Sequence, residues 1–197
     1  MLFLPYTAEI LPLSLQNGGH YIPGGADVLP AHEEPAAQGA VELAGGALLD
    51  IGVYAVSFAR FFMKSRPDAV LTTANYFETG VDETSGILLK NADGEMAVMA
   101  LTMRAKQPKR GVIAGEKGFI EINDYPRAQK ASVTFTQDGH TEIIEAGESA
   151  LALQYEVQDM QEYVHSKNGA ENMQLVRDVM QILTAVRSQW GMAYPFE

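Results

Sequence analysis

The sequence predicts an α+β fold built on a mostly antiparallel sheet, and three observations carry that expectation. An apolar, helix-suited segment, Gly46–Lys64, comes first. A series of β-prone runs punctuated by Asp-Gly pairs follows, and two amphipathic helices close the chain. A length of 197 residues fits one core, and 47% hydrophobic with 20% charged residues is the balance of a folded soluble protein.

Residues 1–44 are punctuated by NGGH, IPGG and HEEPAAQG, clusters that favour turns over regular structure. So long an irregular lead reads as an extended arm, a remnant of something larger or a poorly ordered terminus, with the last preferred. MLFLPYTAEILPLSL lacks a basic start and is broken by Pro5 and Pro12, so it does not read as a signal peptide.

The helix of Gly46–Lys64 is preceded by glycines and followed by Pro67, with Lys64 and Arg66 near its C-terminal end. Its apolar run, Leu48 to Met63, is short of a membrane span and carries Asp50 and Arg60, which points to a core helix.

Four β-prone stretches come next: AVLTTANYFETG, ETSGILLKNADGEMAVMALTMRA, RGVIAGEKGFIEI and KASVTFTQDGHTEIIEA. Asp93-Gly94 and Asp138-Gly139 mark hairpins because glycine supplies the positive φ of a tight turn. Gly115 and Gly118 bracket Glu116-Lys117 as another tight turn. Alternation in Ser132–Thr136 and Phe119–Ile122 predicts strands with one buried and one solvated face. Leu153, Val157, Met160 and Val164 then recur at helical spacing, and a second apolar stripe runs from Leu175 to Trp190.

Charge and composition exclude several classes of function. Fourteen basic against 25 acidic side chains give a net charge of −11, the wrong sign for binding phosphate backbones. The absence of cysteine removes disulfides, thiolate nucleophiles and thiolate-held metals, and a cytoplasmic location is the default expectation. His20, His32, His140 and His165 show no ligand spacing, and no serine sits in a G-x-S-x-G elbow. Neither G-x-G-x-x-G nor G-x-x-x-x-G-K-[ST] occurs. Lys106, Lys109 and Arg110 read as a solvated sheet edge.

Asp50, Tyr54 and Ser57 are spaced i, i+4 and i+7, which places them on one face of an otherwise apolar helix. A buried carboxylate must be paired or reach water. On periodicity alone two readings stand: Asp50 and Tyr54 anchor neighbouring structure, or they line a polar cleft.

Taken together, GGALLDIGVYAVSFARFF, TGVDETSGILLKNADGEMAVM, IAGEKGFIEI and RSQWGMAYPFE resemble the C-terminal domain of the glucose–fructose oxidoreductase, inositol dehydrogenase and rhizopine-catabolism (Gfo/Idh/MocA) superfamily, its dihydrodiol dehydrogenase-like branch above all. The likeness covers about residues 44–197, so the chain divides into a lead, 1–44, and the domain, 45–197. It implies an open antiparallel sheet with helices packed on one face, as in dihydrodipicolinate reductase-like C-terminal domains, and no Rossmann domain in this chain. In the family's D-x-G-x-[YH] motif, here Asp50 to Tyr54, Tyr54 would be the acid–base residue and Asp50 a substrate-side or orienting group.

The resemblance further implies NAD or NADP for the full-length family, a sugar, polyol or diol substrate, and a homo-oligomer, such as a dimer, formed through the sheet. Nucleic acid and membrane are not expected partners. The family's E-K-P lysine has no counterpart, since no lysine precedes Lys64. A truncated, inactive substrate domain with no cofactor of its own is therefore one expectation. A scaffolding module that pairs through its sheet is the other.

Overall fold

The computed structural model describes residues 20–21, 41–166 and 170–197. Most of the 1–44 lead lies outside the described residues. Of it, His20–Tyr21 forms a two-residue strand, β1, and Val41–Leu43 a single 3₁₀ turn.

A π-helical turn, Leu48–Gly52, runs directly into the α-helix α1, Val53–Phe62. Seven strands follow: β2 (Ala69–Tyr76), β3 (Asp82–Lys90), β4 (Met96–Thr102), β5 (Arg110–Gly115), β6 (Gly118–Asn123), β7 (Lys130–Phe135) and β8 (Thr141–Glu145). Two helices end the chain, α2 (Ala152–Ser166) and α3 (Ala170–Trp190). The strands form one open sheet in the order β2-β3-β4-β1-β5-β6-β7-β8. Among the described residues only the β1–β4 pairing is parallel. The domain is thus α+β, as its sequence predicts.

The hairpins fall where turn chemistry puts them. Gly94 (φ +83°) and Gly139 (φ +73°) take the left-handed conformation between β3 and β4 and between β7 and β8. Gly115 pairs with Gly118 across the two-residue turn that joins β5 to β6.

The core lies between the sheet and helices α1 and α3. Ile87, Leu89, Met99 and Leu101 point inward from β3 and β4, and Val56 and Ala59 meet them from α1. From α3, Val179, Ile182, Leu183 and Val186 are buried, each contributing roughly 1.5–3 kcal/mol by leaving water. The helices are pinned as well as packed. Arg60 Nε donates to Asp178 Oδ2 at 2.8 Å and Arg60 Nη1 to the Met63 carbonyl at 2.8 Å. Asp178 is buried, and its other oxygen, Oδ1, accepts from Gln174 Nε2 at 2.8 Å. The C-terminal end of α1 is held by the β3–β4 turn, where Glu95 Oε2 accepts from the Lys64 amide at 2.8 Å and from Asn91 Nδ2 at 2.6 Å.

Two features depart from the sequence expectation. Counted from Val41, the helical stretch to Phe62 has the length and apolarity of a bilayer span, longer than the run from Leu48. Half of it is buried inside the fold, however, as in a core helix. Helix α2 has the spacing expected of it, yet Leu153, Val157, Met160 and Val164 are exposed, and Ala152 is the one residue it buries.

Candidate functional site

The candidate site is built around the beginning of α1. Gly45, Gly46, Ala47 and Leu48 are all buried, whereas Asp50 is exposed and Tyr54, one turn later, is 46% exposed. The π-turn between them widens the helix, a device that recurs at functional positions. The turn delivers a carboxylate and a phenol to the surface from a buried start. Ser57, expected on the same face, is instead buried, with no hydrogen-bond partner for Oγ. Tyr54 and Ser57 both lie within α1, where a spacing of three residues leaves them about 60° apart around the axis, enough to carry Ser57 from the exposed side to the core side.

What fixes the buried start was not legible in the helix sequence itself. Asp82, the first residue of β3 and fully buried, accepts a hydrogen bond at Oδ2 from the Leu48 amide, 2.8 Å away. It thereby satisfies one of the orphan donors of a helix N-terminus from the sheet side. Its Oδ1 has no partner and lies against Gly46, where an added Cβ would sit 2.3 Å from it. Gly46 also has φ +119°. Glycine is therefore required there twice over, for space and for backbone conformation.

On the other side, Tyr194 Oη donates to the Gly45 carbonyl at 2.8 Å. Tyr194 is buried beneath the Arg187 guanidinium, which lies 4.8 Å over its ring and pairs with both oxygens of Glu197 at 3.0 and 2.6 Å. Burial pushes the Asp82 carboxyl up to about 6, against the lowering effect of the Leu48 amide. Burial, with the Asp82 charge adding to it, pushes the Tyr194 phenol up to about 12. Next to Asp82, Glu83 is buried and paired with Arg104. The GVDET stretch and the terminal YPFE were visible in the sequence as part of a likeness, but nothing local marked either as a brace for the helix.

Among the described residues, no group of three or more histidine or carboxylate side chains could hold a metal ion.

The fold and this motif-bearing helix point to one family, and residues 25–121 match the model of the GFO/IDH/MocA C-terminal domain. Over that stretch the chain carries the family's C-terminal domain. Its relatives include trans-1,2-dihydrobenzene-1,2-diol dehydrogenase of Xenopus tropicalis, 43% identical over 82 residues, which are 41% of this chain and 25% of the relative. The protein is also similar to the NADP(+)-dependent scyllo-inositol 2-dehydrogenase IolU of Bacillus subtilis, 27% identical over 157 residues, or 78% of this chain and 47% of that one. The matches therefore span about a quarter to a half of these relatives' lengths.

Among solved structures, the domain is similar to KijD10, a 3-ketoreductase from Actinomadura kijaniata crystallised with NADP and TDP-benzene. The TM-score is 0.70 at 18% identity, covering 92% of this chain and 57% of that one. Levoglucosan dehydrogenase in complex with NADH and levoglucosan is a further structural relative, with TM-score 0.51 at 18% identity over 71% of this chain and 42% of that one. At these identities the likeness speaks for the fold.

Proposed function

We propose that this chain is the substrate-side domain of an NAD(P)-dependent oxidoreductase acting on a sugar, polyol or diol hydroxyl, with Tyr54 as the proton-transfer group and Asp50 orienting the substrate hydroxyl. The observation that carries the reading is the exposure of Asp50 and Tyr54 on a helix whose preceding four residues are buried and braced from two sides. Relatives named as dehydrogenases of diols and inositols, and structural neighbours holding NADP or NADH, support the substrate class and cofactor.

Around Tyr54 the chain's own residues do a limited job. A phenol serves as a proton-transfer group near neutrality only beside a cation. Two arginines of this region are committed elsewhere, Arg60 to Asp178 and Arg104 to Glu83. The described residues also offer antiparallel hairpins and no strand–glycine loop–helix crossover of the kind that seats a dinucleotide pyrophosphate. The described residues by themselves do not fit the nicotinamide, and no step runs through it. The chain alone is proposed to position the substrate hydroxyl and exchange its proton, without hydride transfer.

The test has two arms. Calorimetric titration with NADH and NADPH is expected to give no micromolar binding, and clear micromolar binding would overturn the division of labour. Titration with a vicinal diol and with inositol is expected to shift the ring resonances of Tyr54 and leave those of Tyr155 unmoved. A Tyr54 ring indifferent to every diol and polyol at millimolar concentration would remove the site reading.

A second reading, self-association through the sheet, has its own observation. Leu71, Leu88 and Val98 are successive cross-strand partners on β2, β3 and β4, and Leu71 and Val98 are exposed. Such an apolar row on an open face suits a second copy of the chain. Sedimentation should then give a dimer that Val98→Lys dissociates, and a monomer at all concentrations rejects the pairing.

A further inference from the structure

We propose that Asp82 is the positioning residue of the Asp50–Tyr54 face, holding the π-turn in register from the neighbouring sheet. The inference deepens the proposed function and rests on it for its chemical purpose, although the geometry stands independently.

Leu48–Gly52 is a π-turn, a wider coil than the α-helix it feeds, and such turns persist only where surrounding structure holds them. Ala47, the residue before it, contributes no side-chain cap. The donor that a local Ser, Thr, Asp or Asn would ordinarily satisfy is satisfied instead by a carboxylate 34 residues away, Asp82 Oδ2 on the Leu48 amide at 2.8 Å.

The second oxygen adds the constraint that makes this contact directional. Asp82 Oδ1 is buried, unpartnered and in contact range of the Gly46 backbone, so the carboxylate can neither rotate toward solvent nor leave room for another residue at position 46. A buried oxygen without a donor is costly and calls for a reason. Here the second oxygen wedges against Gly46 while the first fixes Leu48. The Asp50 amide then bonds to the Gly46 carbonyl at 3.2 Å, which carries the constraint to the exposed carboxylate itself. Asp82 thus sets where the turn begins, and the turn sets where Asp50 and Tyr54 emerge. Other ionisable groups around this carboxylate are Tyr194, the Arg187–Glu197 pair beyond it, and Glu83 with its partner Arg104 along β3.

The experiment uses the full chain, with Asp82→Ala and the conservative Asp82→Asn, followed by amide hydrogen exchange and backbone NMR. In Asp82→Ala, exchange at the Leu48 amide should accelerate tenfold or more and the Asp50 and Tyr54 resonances should move, while amides of α3 from Val179 to Val186 keep their protection. Asp82→Asn retains an acceptor oxygen and should restore the wild-type pattern at Leu48, Asp50 and Tyr54.

Acceleration spread equally over α3 would mean general destabilisation and overturn the proposal, as would an unchanged Leu48 amide in a folded Asp82→Ala protein. If Asp82→Ala does not fold, the pH titration of the Leu48 amide shift decides. A single step in the wild type that vanishes in Asp82→Asn supports the role, and no step, or the same step in both, refutes it. The diol titration of the wild type separates the two ideas. Silence of Tyr54 there defeats the site reading while a localised Asp82→Ala effect leaves the positioning role intact.

Discussion

Tyr194 donates its buried hydroxyl to the carbonyl of Gly45, 149 residues earlier in the chain, at 2.8 Å. The end of the protein is in this way tied to the turn that opens its first helix. Asp82 holds the Leu48 amide of the same turn from the sheet. The two contacts meet on either side of Gly46, and together they make the start of α1 a tertiary construction.

Removing the tie has a cost that can be measured. Tyr194→Phe leaves the ring under Arg187 but strands the buried Gly45 carbonyl, a loss of about 1–3 kcal/mol. Urea unfolding of the variant should show this as a lower midpoint with an unchanged slope, because no surface is newly exposed.

Gly46 and Gly94 both have positive φ but differ in surroundings. An added Cβ at Gly46 lands 2.3 Å from Asp82 Oδ1, whereas at Gly94 it meets nothing within 4 Å. Gly94→Ala should therefore cost only the backbone strain, about 1–2 kcal/mol, and Gly46→Ala distinctly more, with expulsion of Asp82 from its place. Thermal unfolding of the two variants side by side checks the order.

Asp82 also gives stability a pH dependence of known sign. Its folded-state value, about 6, lies above the ordinary 3.8, so between these values the folded protein holds a proton that the unfolded chain has released. The stabilisation is complete below about pH 4 and is lost as pH rises through 6. The shift amounts to up to about 3 kcal/mol at 1.36 kcal/mol per pH unit. Asp82→Asn should therefore gain stability relative to wild type on going from pH 4.5 to 7.5, as read by the difference between their urea midpoints.

The Arg60–Asp178 pair joins α1 to α3 with both partners largely shielded from water. Arg60→Met alone leaves a buried carboxylate with only Gln174 and should cost about 3–5 kcal/mol. Adding Asp178→Leu should recover most of that loss, and a double-mutant cycle in denaturant measures the coupling.

Helix α2 presents Leu153, Val157, Met160 and Val164 to solvent. Val157→Gln with Met160→Gln should leave the unfolding free energy within about 0.5 kcal/mol of wild type, since both side chains are mostly exposed, and should raise solubility. A large drop in stability would place the helix against the core instead.

Several of these elements could be read from residues alone. Asp-Gly pairs gave their hairpins because the positive φ of a tight turn is a property of the turn residue. The alternation in Ser132–Thr136 reported its strand, since one buried face imposes a period of two. The motif bearing Asp50 and Tyr54 was visible as a carboxylate and a phenol that an apolar helix could not bury unpaired. Ser57 is not on the exposed face because three residues along α1 leave about 60° between side chains, and only packing decides which of the two meets the core. The stripe of α2 was read correctly as helical, but periodicity says that a face is apolar and is silent on what covers it.

By itself the sequence determined the α+β order, the antiparallel pairing of the hairpins and the core face of α3, because each follows from short-range periodicity and turn conformation. Only the tertiary structure decided that Asp82 and Tyr194 brace the start of α1, that Arg60 belongs to Asp178, and that Ser57 is buried. Those contacts join residues 34 to 149 positions apart, and hydrogen bonds across such separations depend on where packing brings the chain rather than on any local pattern.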